Sequence, residues 1–286
     1  MIVRPDAPIG VFDSGYGGLS VAMEILQRQE HDNIVFVADQ AHVPYGTRPL
    51  SQVQGFASAI TETLAAGGCK AVVMACNISS ATALPEMVEQ YREIPVLGVI
   101  APGAESASIA TISGRVGVLA TEGTVASGAY VRALEQFTRV SNVVQVACPR
   151  FVPLVEAGTV SGAEVDSAVR EYLQPLKDAG VDAVILGCTH YPFLLKALQK
   201  EWSLPVYVNP AYATVTRLIA ELGSKRLNRS GHIGARRHLA VTTGDLEEFR
   251  SGLRWYLGDK AKEFTVKPAT WRKGKIVIPN LPPSSK

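Results

Sequence analysis

Residues 70–77 read Lys-Ala-Val-Val-Met-Ala-Cys-Asn, and residues 182–189 read Asp-Ala-Val-Ile-Leu-Gly-Cys-Thr. Each stretch has an Ala-Val start, an apolar run of strand length, a small residue, a cysteine and a polar residue able to cap a helix. A helical pattern follows each. Unbroken Val- and Ile-rich runs of this kind suit strands buried on both faces, as in parallel sheets covered by helices. Cys76 and Cys188 stand 112 residues apart, close to the length of one α/β half run through twice.

Outward from these two stretches, strand-like runs alternate with helical patterns along most of the chain. Strands are expected at Ile9–Asp13, Asn33–Asp39, Ala71–Cys76 and Val96–Ile100, with helices at Leu19–Gln29, Leu50–Ala66 and Ser79–Tyr91. After Ala101–Gly114, a Gly-, Ala- and Ser-rich stretch read as a domain crossing, the rhythm restarts. Strands are then expected at Val116–Ala120, Val143–Cys148, Ala183–Cys188, Pro205–Val208 and Leu239–Thr243. Helices are expected at Val125–Phe137, Ala163–Ala179, Phe193–Trp202, Thr214–Leu222 and Leu246–Leu257. From Phe264 onward the chain reads as a short strand and a frayed tail. The fold expected is α/β: two pseudosymmetric, doubly wound parallel-sheet domains with the active site in the cleft between them. The first domain comprises residues 1–100 and 209–270, the second 101–208, and 271–286 form the tail.

Composition narrows the function classes. Of 286 residues, 47% are hydrophobic and 19% charged, an ordinary globular balance with ample material for a core. A formal net charge of +2 argues against a partner that is nucleic acid or an anionic membrane. The apolar runs are too short to span a bilayer, and the N-terminus carries no apolar signal core. A cytoplasmic protein is therefore expected. The four cysteines, Cys69, Cys76, Cys148 and Cys188, form neither a disulfide framework nor a zinc motif and are expected as free thiols.

A single cysteine in such a chain reads as a small buried hydrophobe. Two at matched positions do not. Both are expected at the carboxyl end of a parallel strand, where α/β proteins place ligands, and just before a helix, whose N-terminal end favours an anion. That setting is expected to lower a thiol's pKa from about 8.5 toward neutrality. Disulfide redox couples sit closer in sequence, and nucleophilic catalysis leaves one cysteine unused. Two weak acid/base groups on either side of one carbon suit stereochemical inversion, in which one thiolate removes a proton and the opposed thiol returns one. Asp13-Ser14-Gly15-Tyr16-Gly17-Gly18 follows the first strand and offers backbone N–H groups, an acceptor and a hydroxyl. His190, two residues beyond Cys188, lies within reach to polarise that thiol.

These residues resemble the glutamate racemases of the aspartate/glutamate racemase superfamily. The matching segments are Phe12-Asp13-Ser14-Gly15-Tyr16-Gly17-Gly18, Pro44-Tyr45-Gly46, Ala75-Cys76-Asn77, Phe151–Glu156 and Gly187–Pro192. The resemblance implies a cleft between two domains and no need for pyridoxal phosphate, metal or nucleotide. It implies that Cys76 takes the proton from D-glutamate and Cys188 from the L-enantiomer. Asp13 and His190 match the residues assisting each thiol, and Glu156 matches a further acidic residue. Ser14, Tyr45, Gly46, Asn77 and Thr189 match positions holding the substrate, and Thr121 matches a threonine facing the cleft. Pro44 lies within the Pro44-Tyr45-Gly46 segment, and Ile78, also expected to line the substrate site, directly follows Ala75-Cys76-Asn77. The family supplies D-glutamate for bacterial peptidoglycan and is commonly homodimeric.

Three positions depart from the family's usual pattern: Ile78 where threonine is common, Asn209 where aspartate is common, and His42 where arginine is common. An isoleucine has no side-chain donor for a carboxylate. The alternatives at this stage are a racemase of aspartate or another acidic amino acid, and a non-catalytic amino-acid-binding homologue. The basic stretch Lys225–His238 reads as a solvated loop and helix end, and His31, His232 and His238 as surface residues. Cys69 and Cys148 read as structural, lacking the strand-end setting.

Overall fold

The computed structural model describes residues 3–229, 238–279 and 281. Its elements run β1 (Ile9–Asp13), α1 (Leu19–Arg28), β2 (Ile34–Ala38), α2 (Leu50–Ala66), β3 (Ala71–Met74), α3 (Asn77–Gln90), β4 (Val96–Gly98) and α4 (Ile100–Ala110). The second series is β5 (Arg115–Ala120), α5 (Glu122–Ser127), α6 (Ala129–Leu134), β6 (Asn142–Ala147), α7 (Phe151–Glu156), α8 (Ala163–Asp178), β7 (Ala183–Gly187), α9 (Leu195–Glu201) and β8 (Val206–Val208). The chain then continues through α10 (Pro210–Ser224), β9 (His238–Thr242), α11 (Leu246–Leu257), β10 (Phe264–Pro268), β11 (Thr270–Arg272) and β12 (Lys275–Val277).

Strands β1 to β10 form two parallel sheets, ordered β10-β9-β2-β1-β3-β4 and β6-β5-β7-β8. The order β2-β1-β3-β4 of the first is the order β6-β5-β7-β8 of the second, so β3 and β7 are equivalent strands. The echo between residues 70–77 and 182–189 is thus the mark of one topology used twice. Every residue of β1, β2, β3 and β7 is buried, which is why these runs are apolar throughout except for Asp13 at the end of β1.

Helices cover both faces of each sheet. On the first, Ile9, Val11 and Phe36 pack with residues of α1, α10 and α11, while Phe12, Val72 and Met74 pack with residues of α2 and α3. On the second, Val184 and Leu186 face α8 and α9, and Val118 and Ile185 face α4 and α6. Burying a side chain such as Phe36 or Ile25 contributes roughly 1.5–3 kcal/mol each. Lys70 is an exception inside this core. Its ammonium, fully buried, donates to Asp32 Oδ1 at 2.6 Å and to the carbonyls of Pro5 at 2.8 Å and Leu227 at 2.9 Å. Three chain segments are thereby tied under the sheet.

Several expectations are corrected. Ala101–Gly114, the stretch read as a domain crossing and given no element of its own, is mostly helical: it forms the greater part of α4, which lies against α10, α6 and β7. Its residues are small because neighbours press on it from several sides, which erases the amphipathic stripe. The helix expected over Val125–Phe137 is two helices, broken where Gly128 takes φ +63°. The Phe151–Glu156 helix, α7, was not anticipated; it admits Pro153 because that residue sits in the first turn. The expected tail includes a hairpin, β11–β12, turned at Lys273 (φ 50°) and Gly274 (φ 74°), with Ile276 and Ile278 buried. His238 is buried rather than on the surface: its Nδ1 accepts the Ile34 N–H at 3.1 Å, and its ring lies 4.9 Å from that of Phe264. His31 is exposed. His232 and most of the basic stretch before His238 lie outside the described residues. No helix among the described residues is long and apolar enough to cross a membrane.

Candidate active site

The carboxyl ends of β1 and β3 face those of β5 and β7 across a cavity of about 290 Å³. All thirteen residues singled out from the sequence line it. Ala75 separates Cys76 from the end of β3, and Cys76 caps α3; Cys188 directly follows β7. The two thiols therefore occupy equivalent strand ends, one from each sheet.

Their surroundings are not equivalent. Burial pushes the Cys76 thiol up to about 12, and the neighbouring Asp13 carboxyl adds to the rise. The Ser79 hydroxyl and backbone N–H, one turn along α3, pull the other way without prevailing. The expectation that a helix end lowers this thiol toward neutrality is thus corrected: desolvation of the thiolate outweighs the helix terminus. Cys188 instead meets a histidine, with His190 Nδ1 3.7 Å from its sulfur. The other ring nitrogen, Nε2, lies 2.5 Å from Glu156 Oε1. Burial by itself lowers the His190 pKa, but the bonds to Cys188 and Glu156 outweigh it and hold the imidazole well above its ordinary value. The His190 ring thus stands between the Glu156 carboxyl and the Cys188 sulfur. One cysteine is held as a thiol while the other faces a positive charge.

Asp13 bridges the two halves. It is fully buried, takes the Ser14 N–H on Oδ1 at 2.7 Å and the Thr189 hydroxyl on Oδ2 at 2.8 Å. Burial raises its pKa, opposed by the charge of His190 and by these donors. The two loops meet this closely because residue 17 is glycine: a Cβ there lies 2.3 Å from Thr189 Oγ1 and 2.8 Å from His190 Nδ1. At the opposite rim, a Cβ on Gly46 lies 2.8 Å from Thr121 Cβ, and one on Gly123 lies 2.4 Å from Ile78 Cδ1. Ile78 packs with Tyr45, Val53 and Cys76 and is 2% exposed, an apolar wall beside the first thiol.

Among the described residues, no Lys or Arg lines the cavity. An anionic ligand is therefore met by hydroxyls and amides: Ser14, Thr121, Thr124, Thr189 and Asn77. Asn77 Oδ1 accepts a hydrogen bond from the buried Tyr130 hydroxyl at 2.7 Å. Tyr45, expected to touch substrate, commits its own hydroxyl elsewhere, to Asp39 Oδ2 at 2.6 Å, so that its ring and backbone remain for the cavity. Asp39 is a site residue that sequence reasoning missed. Fully buried outside the cavity, it also accepts from Thr243 Oγ1 and Trp271 Nε1 on Oδ1, both at 2.7 Å, and lies 2.8 Å from His42 Nδ1 on Oδ2. It thereby fixes the loop that carries Pro44, Tyr45 and Gly46.

Cys148 is corrected in part. It directly follows β6 and lines the cavity, so it does have a strand-end setting. Burial holds its thiol well above the ordinary range, and its sulfur lies 3.4 Å from the Val146 carbonyl. Cys69, at the end of α2, is buried with its thiol pushed up to about 12. Among the described residues no group of three or more His, Cys, Asp or Glu side chains is arranged to hold a metal ion.

The sequence profile of the Asp/Glu/Hydantoin racemase family matches residues 20–218. A glutamate racemase of Beutenbergia cavernae is 41% identical, the alignment covering 90% of this chain and 92% of the relative. Among solved structures, a glutamate racemase isoform of Bacillus anthracis superposes with a TM-score of 0.86 at 33% identity, covering 95% of this chain and 100% of that one. The glutamate racemase of Francisella tularensis, solved in complex with D-glutamate, gives a TM-score of 0.85 at 30% identity, covering 94% and 98%.

Proposed function

The chain belongs to the Asp/Glu/Hydantoin racemase family, and from that premise we propose that it interconverts L- and D-glutamate by moving the α-proton between Cys76 and Cys188 without a cofactor. The observation that carries this reading is the unequal pair of thiols at equivalent strand ends. Proton transfer in one direction needs a thiolate and a thiol present together; Cys76 is held as a thiol by burial and Asp13, while Cys188 faces the His190 ring that Glu156 backs. With L-glutamate, the Cys188 thiolate takes the α-proton and the Cys76 thiol delivers its own to the opposite face. The protons have then changed places, and D-glutamate is the substrate of the resulting form. Asp13 and His190 assist the respective thiols, and Glu156 supports His190.

The α-proton of an amino acid is far less acidic than a thiol, so the barrier falls only if donors fixed around the substrate carboxylate stabilise the charge that develops. The hydroxyls of Ser14, Thr121 and Thr189 and the amide of Asn77 supply such donors, and the glycines at 17, 46 and 123 let the two walls come close enough to exclude water. In this reading the two lobes are residues 1–100 with 209–270 and residues 101–208. The enzyme works in the cytoplasm as a homodimer and furnishes D-glutamate for peptidoglycan.

The test is α-hydrogen exchange in D₂O, with L- and D-glutamate, aspartate as a second substrate and no added cofactor. Glutamate is expected to interconvert with deuterium incorporated at the α-carbon, and Cys76→Ala and Cys188→Ala to abolish it. Interconversion of aspartate alone replaces the substrate. Absence of exchange from either amino acid with reduced thiols leaves a binding protein in place of the enzyme.

A further inference from the structure

The Tyr130 hydroxyl is buried and reaches out of α6, in the second sheet's half, to Asn77 at the start of α3 in the first. The bond to Asn77 Oδ1 is 2.7 Å long and joins residues 53 apart in sequence. A tyrosine hydroxyl has one proton to donate, and a buried donor left without an acceptor costs about 1–3 kcal/mol. Rotating the Asn77 amide by half a turn puts N–H groups against that hydroxyl and strips its proton of this acceptor. The tyrosine therefore fixes which end of the amide points where. With Oδ1 held by Tyr130, the Nδ2 group is the end left for the cavity that Asn77 lines, and among the described residues no protein acceptor takes it.

That orientation matters because an ionised carboxylate only accepts hydrogen bonds. An amide presenting Nδ2 attracts it; one presenting Oδ1 repels it. We infer that Tyr130 is a positioning residue that selects the donor face of Asn77 toward a carboxylate of the amino-acid substrate. The inference rests on the proposed glutamate reading of the site and deepens it by giving the cross-cleft bond a role in binding. Because the bond spans the two halves, it also sets Asn77 correctly only when the α3 and α6 ends are together.

The experiment is Tyr130→Phe, Asn77→Ala and the double variant, with KM and kcat measured for both enantiomers and D-glutamate binding measured by calorimetry. Tyr130→Phe keeps the ring and is expected to raise KM and weaken binding about tenfold, the scale of one hydrogen bond to a charged group, with a smaller change in kcat. In the Asn77→Ala background, Tyr130→Phe is expected to have little further effect, an outcome that lost packing does not produce. A folded Tyr130→Phe protein with KM within twofold of wild type overturns the inference, as do full, additive losses in the double variant. Should Tyr130→Phe not fold, Asn77→Asp keeps an acceptor for the tyrosine while removing the amide donor. It is expected to fold and raise KM at least as much, and an unchanged KM overturns the inference. Failure of the glutamate reading itself is distinguishable, since it appears as an inactive wild-type protein.

Discussion

Replacing Glu156 by glutamine tests whether the His190 imidazolium is built by its neighbours. The substitution keeps the shape and an oxygen that can accept from Nε2 but removes the charge 2.5 Å away. A hydrogen bond to a charged group contributes about 1.5–3 kcal/mol, against roughly 0.5–1.5 kcal/mol for a neutral one. The difference is about 1–1.5 kcal/mol, or roughly one pKa unit. Glu156 is 25% exposed, and solvent screening keeps the expectation at the lower end of that range. Nuclear magnetic resonance titration of the His190 ring should place the wild-type midpoint well above the ordinary value and the variant about one unit lower. The sign for stability follows from the raised value. The stabilisation from holding imidazolium is fully present below the unfolded pKa of about 6.5 and is lost as pH rises through the folded one. The gap in melting temperature between wild type and Glu156→Gln should therefore be widest near pH 6 and close on the alkaline side. A midpoint that stays within about 0.3 unit of wild type, or moves upward, refutes the argument, because burial then acts without the opposition assigned to Glu156.

Cys76 should resist iodoacetamide at pH 8, its thiol being held near 12 by burial and Asp13; Asp13→Asn should hasten labelling, as read by peptide mass spectrometry. Lys70→Met leaves the Asp32 carboxyl buried without its partner, so urea unfolding should show a loss of about 3–5 kcal/mol, largely recovered in Lys70→Met/Asp32→Leu. Trp271→Phe removes one of the donors on Asp39, and thermal melting should register about 1–2 kcal/mol lost while KM for glutamate rises through the loosened Tyr45 loop.

Much of the fold was legible because it was written locally. The strands β2, β3 and β7 are unbroken apolar runs, β1 is one up to Asp13, and α2 and α11 begin and end where their patterns do. The parts that escaped were those where neighbours override pattern. Helix α4 carries small residues because it is wedged among other elements, and the hairpin at 270–277 has strands of three residues, too short for alternation to register. For the site, the repeated strand–cysteine unit drew attention to Cys76 and Cys188, whereas Asp39 and Tyr130 carry no motif at all. An aspartate after a strand and a tyrosine in a helix become informative only with their partners in view.

The sequence by itself determined the alternation of strands and helices, the duplicated half, and the two thiols at matching strand ends, since period, turn chemistry and repetition act between near neighbours in the chain. Tertiary structure alone decided the chemistry of those thiols. Asp13 meets Thr189 across 176 residues, Tyr130 meets Asn77 across 53, and Trp271 meets Asp39 across 232. Burial reverses the shift expected of Cys76 at a helix end. The cause is that a pKa and the orientation of an amide depend on everything within a few ångströms, which folding gathers from distant parts of the chain.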